Sequence, residues 1–178
     1  MICAIVAADL NNAIGINGGM LCHIPGDLHY FKETTMGATV IVGRKTYDGL
    51  PVKPLPGREH IIITRDAGDT LTEVAPKVCK TTLQGAKSYL QSHSDDYIFI
   101  IGGGEIYAAL LEWCERVYLT RIEHAFPCAD TYFPVLDPDE WVMVGKSEPK
   151  CENSYTYQFL IYDKVMTTPK RGGMNSGL

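Results

Sequence analysis

The stretch ATVIVGRKTYDGLPVKPLPGREHIIIT, residues 38–64, decides the fold. It opens on a continuously apolar run (38–43), passes at Gly43 into a helical pattern (44–50), crosses a proline-rich loop and closes on a second apolar run (60–64). Apolar runs without polar alternation suit parallel strands covered on both faces, and a helix between them supplies the crossover that parallel pairing needs. Outward from this unit the alternation continues. Further β-type runs fall at 2–8, 97–102 and 116–123, and helical patterns at 25–36, 82–91 and 104–112. Two later runs, 140–147 and 154–165, are longer and polar-interleaved, as antiparallel strands at one edge would be. The predicted fold is α/β: a central, mostly parallel mixed sheet flanked by four helices, with an antiparallel C-terminal edge.

The chain has 178 residues, a length that suits one domain. That domain is expected over 1–165, followed by a polar, Gly-rich tail over 166–178. Hydrophobic residues make up 46% and charged residues 21%, which excludes disordered, collagen-like and coiled-coil chains. The opening MICAIVAADL has no basic start, Asp9 interrupts its apolar run, and no run approaches the roughly 18 apolar residues of a membrane span. Six cysteines lie at 3, 22, 79, 114, 128 and 151, with no C-x-x-C pair and no zinc-ligand spacing, so no metal is expected. Reduced thiols acting as small hydrophobes, and a cytoplasmic protein, are the expectation.

Sixteen basic residues against 21 acidic give a net charge of −5, which weighs against nucleic acid as a partner. The distribution says more than the sum. Between Arg44 and Arg65 five basic residues face two acidic ones, so this window is +3 and the remainder −8. A local basic patch on an acidic chain suits a small polyanionic ligand, although a solvated basic face has the same composition.

Individual motifs sharpen this. In VIVGRKTY (40–47) a strand ends at Gly43, and Arg44, Lys45 and Thr46 open a helix, where backbone N–H groups and two cations favour an anion. An ordinary strand-to-helix turn fits the same letters. Thr64 and Arg65, closing IIITR (61–65), offer a second phosphate grip. In IIGGGEIY (100–107) three glycines follow an apolar strand and permit close backbone approach, but Tyr107 breaks the GxGxxG pattern. Asp27, after Pro25 and Gly26, reads as a helix N-terminal acid, yet Leu28 and Phe31 follow on the same helix. If that face is a pocket wall, desolvation raises the carboxyl pKa toward a catalytic range. Arg58, after PLPG, offers a planar fork for a carboxylate.

Taken in order, AIG (13–15), the segment of Pro25, Asp27, Phe31 and Thr35, then VGRKTY, PLPGR, IIGGGEIY and VYLTRIE resemble the dihydrofolate reductase family over residues 1 to about 165. The resemblance implies about eight strands and NADPH-dependent reduction of 7,8-dihydrofolate to tetrahydrofolate, feeding one-carbon metabolism and thymidylate synthesis. It implies a monomer open to antifolate inhibitors, with neither nucleic acid nor membrane as partner. Asp27 would hydrogen-bond the pterin edge and promote protonation at N5, with Thr120 beside it. Met20 would tip a lid running from Asp9 to Ile24. Ile5, Val6, Leu28, Tyr30, Phe31, Leu55 and Ile101 would wall the substrate, Tyr107 would border it at the nicotinamide, Arg58 would clamp the glutamate α-carboxylate and Lys53 would lie at the rim. For the cofactor, Ala7, Ile14 and Gly15 would serve the carboxamide end, and Gly43, Arg44, Lys45 and Thr46 the phosphates. Thr64 and Arg65 would grip the 2′-phosphate, with Lys80 beyond them. Gly102 and Gly103 would form a cis peptide, continued by Gly104, Glu105 and Ile106. Two departures stand out. Cys22 replaces the Trp of many members, which bears on the water beside the pterin, and Glu105 sets an acid where some relatives place a cation. A riboflavin-pathway pyrimidine reductase would share fold and cofactor without needing Asp27 or Arg58.

Overall fold

A computed structural model describes residues 1–94 and 96–165; the expected tail at 166–178 lies outside them. In chain order the elements are β1 (Ile2–Ala8), β2 (Ala13–Ile16), β3 (Gly19–Met20), α1 (Pro25–Thr35), β4 (Thr39–Gly43), α2 (Arg44–Asp48) and β5 (Glu59–Ile63). There follow β6 (Thr72–Ala75), β7 (Val78–Thr81), α3 (Leu83–Ser92), β8 (Ile98–Ile100), α4 (Gly104–Leu110) and a 3₁₀ turn at Leu111–Trp113. The last are β9 (Arg116–Ile122), β10 (Thr131–Tyr132), β11 (Trp141–Lys146), β12 (Lys150–Glu152) and β13 (Tyr155–Lys164).

The main sheet runs β11-β13-β9-β1-β8-β4-β5-β7-β6, with β12 paired to β13. Neighbours from β9 through β7 are parallel. At the C-terminal edge β13 runs antiparallel to β9, β11 and β12. The sheet is therefore mixed and mostly parallel with the antiparallel edge expected. The apolar runs became β1, β4, β5, β8 and β9, with β8 cut to three residues, while the two- to four-residue strands β2, β3, β6, β7, β10 and β12 are too short for periodicity to announce. Helix limits moved by a residue or two for local reasons. Thr82 accepts the Gly85 N–H at 3.2 Å and so caps α3 instead of joining it. The second helix stops at Asp48 because Leu50 precedes Pro51 and is disfavoured from the α region.

Period-two alternation sorts β1 between two cores. Ile2, Ala4, Val6 and Ala8 join Ile41, Ile61, Ile98, Leu90 and Leu110 in the larger one, while Cys3 and Ile5 meet Val40 and Phe99 on the other face, with Phe31 and Ile101 packed against them. Helix α1 covers that second face incompletely. Leu28 and Phe31 stay half-buried, and Thr35 is its one buried residue. Open α/β sheets bind ligands outside the carboxyl ends of their strands, here those of β1, β8 and β4.

Candidate active site

Proline at N1 starts α1 and places Asp27 in its first turn. The carboxylate reaches the sheet, where Thr120 Oγ1 donates to Asp27 Oδ1 at 2.6 Å. Thr120, on β9, is only 2% exposed and lies in register with Ala7 of β1 and Phe159 of β13. Two influences oppose each other at this acid. Desolvation pushes its pKa above the ordinary carboxyl range, and the Thr120 bond to the ionised form pulls it back. Burial and, after it, the Asp27 charge push up the pKa of the half-buried Cys22 thiol.

Apolar surface surrounds this carboxylate. Ile5, Phe31 and Ile101 share one cluster, and Ala7 packs nearby with Ile24 and Cys22. Leu28 stands half-buried on α1. Val6 does not join them: alternation along β1 turns its side chain into the core on the far face, leaving only its backbone toward the site. Tyr30 is also occupied elsewhere, its ring stacked on Phe159 of β13 with centroids 4.0 Å apart. Tyr107 is buried, and its hydroxyl donates to the Ile5 carbonyl at 2.6 Å.

Arg58 is 5% exposed although it is charged. Nη1 donates to Thr35 Oγ1 and Nε to the Pro56 carbonyl, both at 3.1 Å, and the guanidinium lies 5.8 Å from the centre of the Phe31 ring. Nη2 has no protein partner among the described residues, so one edge of the fork is free. Leu55 is half-buried and gives its N–H to His60 Nε2 at 3.1 Å, while Lys53 is exposed and donates to the Asp48 carbonyl. The basic window thus divides. Arg44 and Arg65 stand at the carboxyl ends of the paired strands β4 and β5, and Arg58 at the opposite end of β5.

The carboxyl ends of β4, β5 and β8 form a backbone-rich cradle. The Gly102–Gly103 peptide is cis, and Gly43 N–H donates to the Gly102 carbonyl at 2.8 Å. A Cβ on Gly43 would lie 3.0 Å from Ile106 Cγ1, one on Gly102 3.0 Å from the Tyr107 ring, and one on Gly103 2.9 Å from Thr46 Oγ1. Bare peptide therefore lines this surface, continued by Gly104 at the start of α4. Around it stand Arg44, 3.1 Å from Asp48, the exposed Lys45, and the half-buried Thr46. Thr64 is buried, with its N–H on the Thr81 carbonyl at 2.9 Å, and Lys80 is half-buried on β7. Exposed Arg65 lies 4.0 Å from exposed Glu105. Backbone, hydroxyls and cations at neighbouring strand ends are the donor set that dinucleotide phosphates require, so these residues fit NADPH. Ile14 packs on the main core, Gly15 pairs with Thr131 and Met20, and Met20, at the end of β3, is 64% exposed.

Two groups near the site carried no clear signal in the sequence. Asp9 is fully buried and accepts N–H bonds at 2.8 Å from Asn11, Ala13 and Phe126, tying the segment after β1 to the one after β9. Glu152 reaches the start of α1 from 126 residues away. Two half-open pockets, about 300 Å³ beside Thr39, Cys79 and Tyr89 and about 270 Å³ beside Phe133 and Trp141, do not include Asp27 in their linings.

The topology, the desolvated acid on α1 and the backbone-lined cradle at the carboxyl ends of β4, β5 and β8 suit a dinucleotide-dependent reductase. Comparison with known proteins makes the class particular. The family model described as "Dihydrofolate reductase" matches residues 1–164. The chain is 35% identical over 176 residues to the dihydrofolate reductase of Bacillus subtilis (strain 168), covering 97% of this chain and 99% of that one. It is 36% identical over 159 residues to that of Haemophilus influenzae, covering 88% and 94%. It is 34% identical over 163 residues to that of Staphylococcus haemolyticus, covering 90% and 94%. The chain belongs to the dihydrofolate reductase family, and it carries that family's activity, the reduction of dihydrofolate with NADPH.

Proposed function

We propose that Asp27 carries the proton chemistry of this reduction and that the residues around it bind and orient 7,8-dihydrofolate. The observation behind this reading is the Asp27–Thr120 pair: a single acid on apolar ground, with its carboxylate fixed at 2.6 Å. One Asp27 oxygen accepts from Thr120, and the other is free to accept from the amino and N3 edge of the pterin. A charge held there favours protonation at the pterin N5, because bulk water at neutral pH supplies few protons. Ile5, Leu28, Phe31 and Ile101 exclude water from the ring and strengthen every electrostatic interaction in the site. The free edge of Arg58 receives the glutamate α-carboxylate.

NADPH, when bound, supplies the hydride. Gly43, Arg44, Lys45, Thr46, Thr64, Arg65 and Gly102–Gly104 would hold it, with Arg65 taking the 2′-phosphate in competition with Glu105. The Met20 loop would cover the nicotinamide. We further infer a cytoplasmic enzyme acting as a monomer. Six free thiols suit a reducing compartment, and every proposed role falls to this one chain. Among the described residues no helix is long and apolar enough to cross a membrane. Loss of NADPH absorbance on adding dihydrofolate tests the reading. Wild-type turnover should be rapid and Asp27→Asn turnover at neutral pH very low; equal rates would remove Asp27 from the chemistry.

A further inference from the structure

We propose that Glu152 is a positioning residue for Asp27, acting through the first turn of α1. This rests on the role given to Asp27 above. A helix start leaves backbone N–H groups that need acceptors, normally a side-chain oxygen at the N-cap. Here the N-cap is Ile24, which has none. Pro25 has no N–H, and the N–H groups of Asp27 and Leu28 both turn back to the Ile24 carbonyl at 3.1 Å. Gly26 N–H is left, and it donates to Glu152 Oε2 at 2.7 Å. The missing cap thus comes from β12, and it seizes the residue adjacent to Asp27.

Three independent contacts show that the arrangement is built. A Cβ on Gly26 would lie 2.7 Å from Glu152 Oε1 and would overlap Tyr157 Oη outright, so both oxygens close on bare backbone that only glycine provides. Tyr157 is fully buried, its hydroxyl lacks a hydrogen-bond partner of good geometry, and its ring packs on Ile24. Asn153 Nδ2 donates to the His23 carbonyl at 2.9 Å, so the turn after β12 holds the chain on both sides of Ile24–Pro25. A carboxylate beside a helix N-terminus also complements the helix dipole. The bond length matters here more than the charge, because Glu152 spans from another strand and a shorter acid would fall short.

The test replaces Glu152 by Ala, Asp and Gln in the full chain and measures kcat and both Michaelis constants, with Asp27→Asn alongside. Glu152→Gln keeps length and an acceptor oxygen, whereas Glu152→Asp keeps charge and loses reach. If Glu152 positions Asp27, the Ala and Asp variants lose about tenfold in kcat, part of the ~100-fold that an ångström of misplacement can cost, while Gln stays near wild type and the NADPH constant does not move. Wild-type turnover in Glu152→Ala, or a retained rate in Asp with a lost one in Gln, overturns the proposal. Should Ala fail to fold, the Asp and Gln pair decides by itself. An active Asp27→Asn would instead overturn the role of Asp27, so the two failures are distinguishable.

Discussion

Replacing Arg58 by Leu should separate the two halves of the active site. Two of its nitrogens are committed inward, to Thr35 Oγ1 and the Pro56 carbonyl, and the Phe31 ring lies beneath the guanidinium. What remains is a preorganised edge facing outward, so little side-chain entropy is lost when a carboxylate arrives. A hydrogen bond to a charged group contributes about 1.5–3 kcal/mol. Allowing for non-additivity, a two-point contact with the glutamate α-carboxylate is worth roughly 3 kcal/mol, or about 100-fold in affinity. The Michaelis constant for dihydrofolate should rise by about that factor while that for NADPH holds, since Arg58 lies at the far end of β5 from Arg65. The fold should survive. Thr35 Oγ1 keeps its own bond to the Phe31 carbonyl at 2.7 Å, Pro56 is exposed to water, and Leu covers the Phe31 ring. Steady-state kinetics should be run twice, with dihydrofolate and with a dihydropterin lacking the glutamate tail. The penalty must disappear with the second substrate. An equal penalty for both, or an equal rise for NADPH, would refute this placement of the guanidinium.

Asp27→Asn should lower kcat at neutral pH by about 100-fold or more, the usual contribution of a positioned acid–base group, while fluorescence titration still detects dihydrofolate binding. The same variant should unfold at a higher temperature than wild type at neutral pH. The folded-state pKa of Asp27 is raised, so the native protein binds the extra proton and loses stability as pH climbs from the unfolded toward the folded value; thermal scans from acid to neutral pH should show the advantage vanish once both forms are protonated. Tyr107→Phe strands the Ile5 carbonyl and should cost about 1–3 kcal/mol of stability, read from urea midpoints. Gly103→Ala puts a methyl 2.9 Å from Thr46 Oγ1 and should weaken NADPH binding by about tenfold in a fluorescence titration, roughly 1.4 kcal/mol, with dihydrofolate binding kept.

Local chemistry made much of this molecule legible. The apolar runs at 2–8 and 38–43 suit strands covered on both faces and form β1 and β4, and Pro25 and Asp27 mark the start of α1. Sequence proximity misled wherever topology intervenes. Arg44, Arg58 and Arg65 look like one patch, but parallel strands carry Arg58 to one end and the other two to the opposite end. Period two already turns the side chains of Val6 and Ile5 to opposite faces, so any role for Val6 at the site rests on its backbone. For Tyr30 nothing local could have said that Phe159 would claim its ring. Glu152 is the clearest limit: the one trace of its partnership is a bare Gly26 before Asp27, and an acceptor 126 residues away leaves no periodic mark.

In the role proposed for it, the acid at 27 has to satisfy demands that pull apart. It needs apolar surroundings to hold its proton more tightly than a free carboxyl, yet too much desolvation would leave it neutral and unable to favour a protonated pterin. Thr120 sets the balance. Its hydroxyl favours the ionised form, and because it sits on β9 in register with Ala7 and Phe159, it is anchored at the middle of the sheet and cannot drift with the substrate. The acid itself rides on a helix whose first turn is fastened from outside by Glu152, with Asn153 holding the His23 carbonyl just before it, and whose second turn is stacked on Phe159 through Tyr30. Donor and acceptor are thus fixed by separate elements that meet at 2.6 Å. Such an arrangement makes the Asp27 pKa depend on the placement of α1, so a change at the C-terminal hairpin, remote in sequence and never touching substrate, can alter turnover as directly as a change in the cleft.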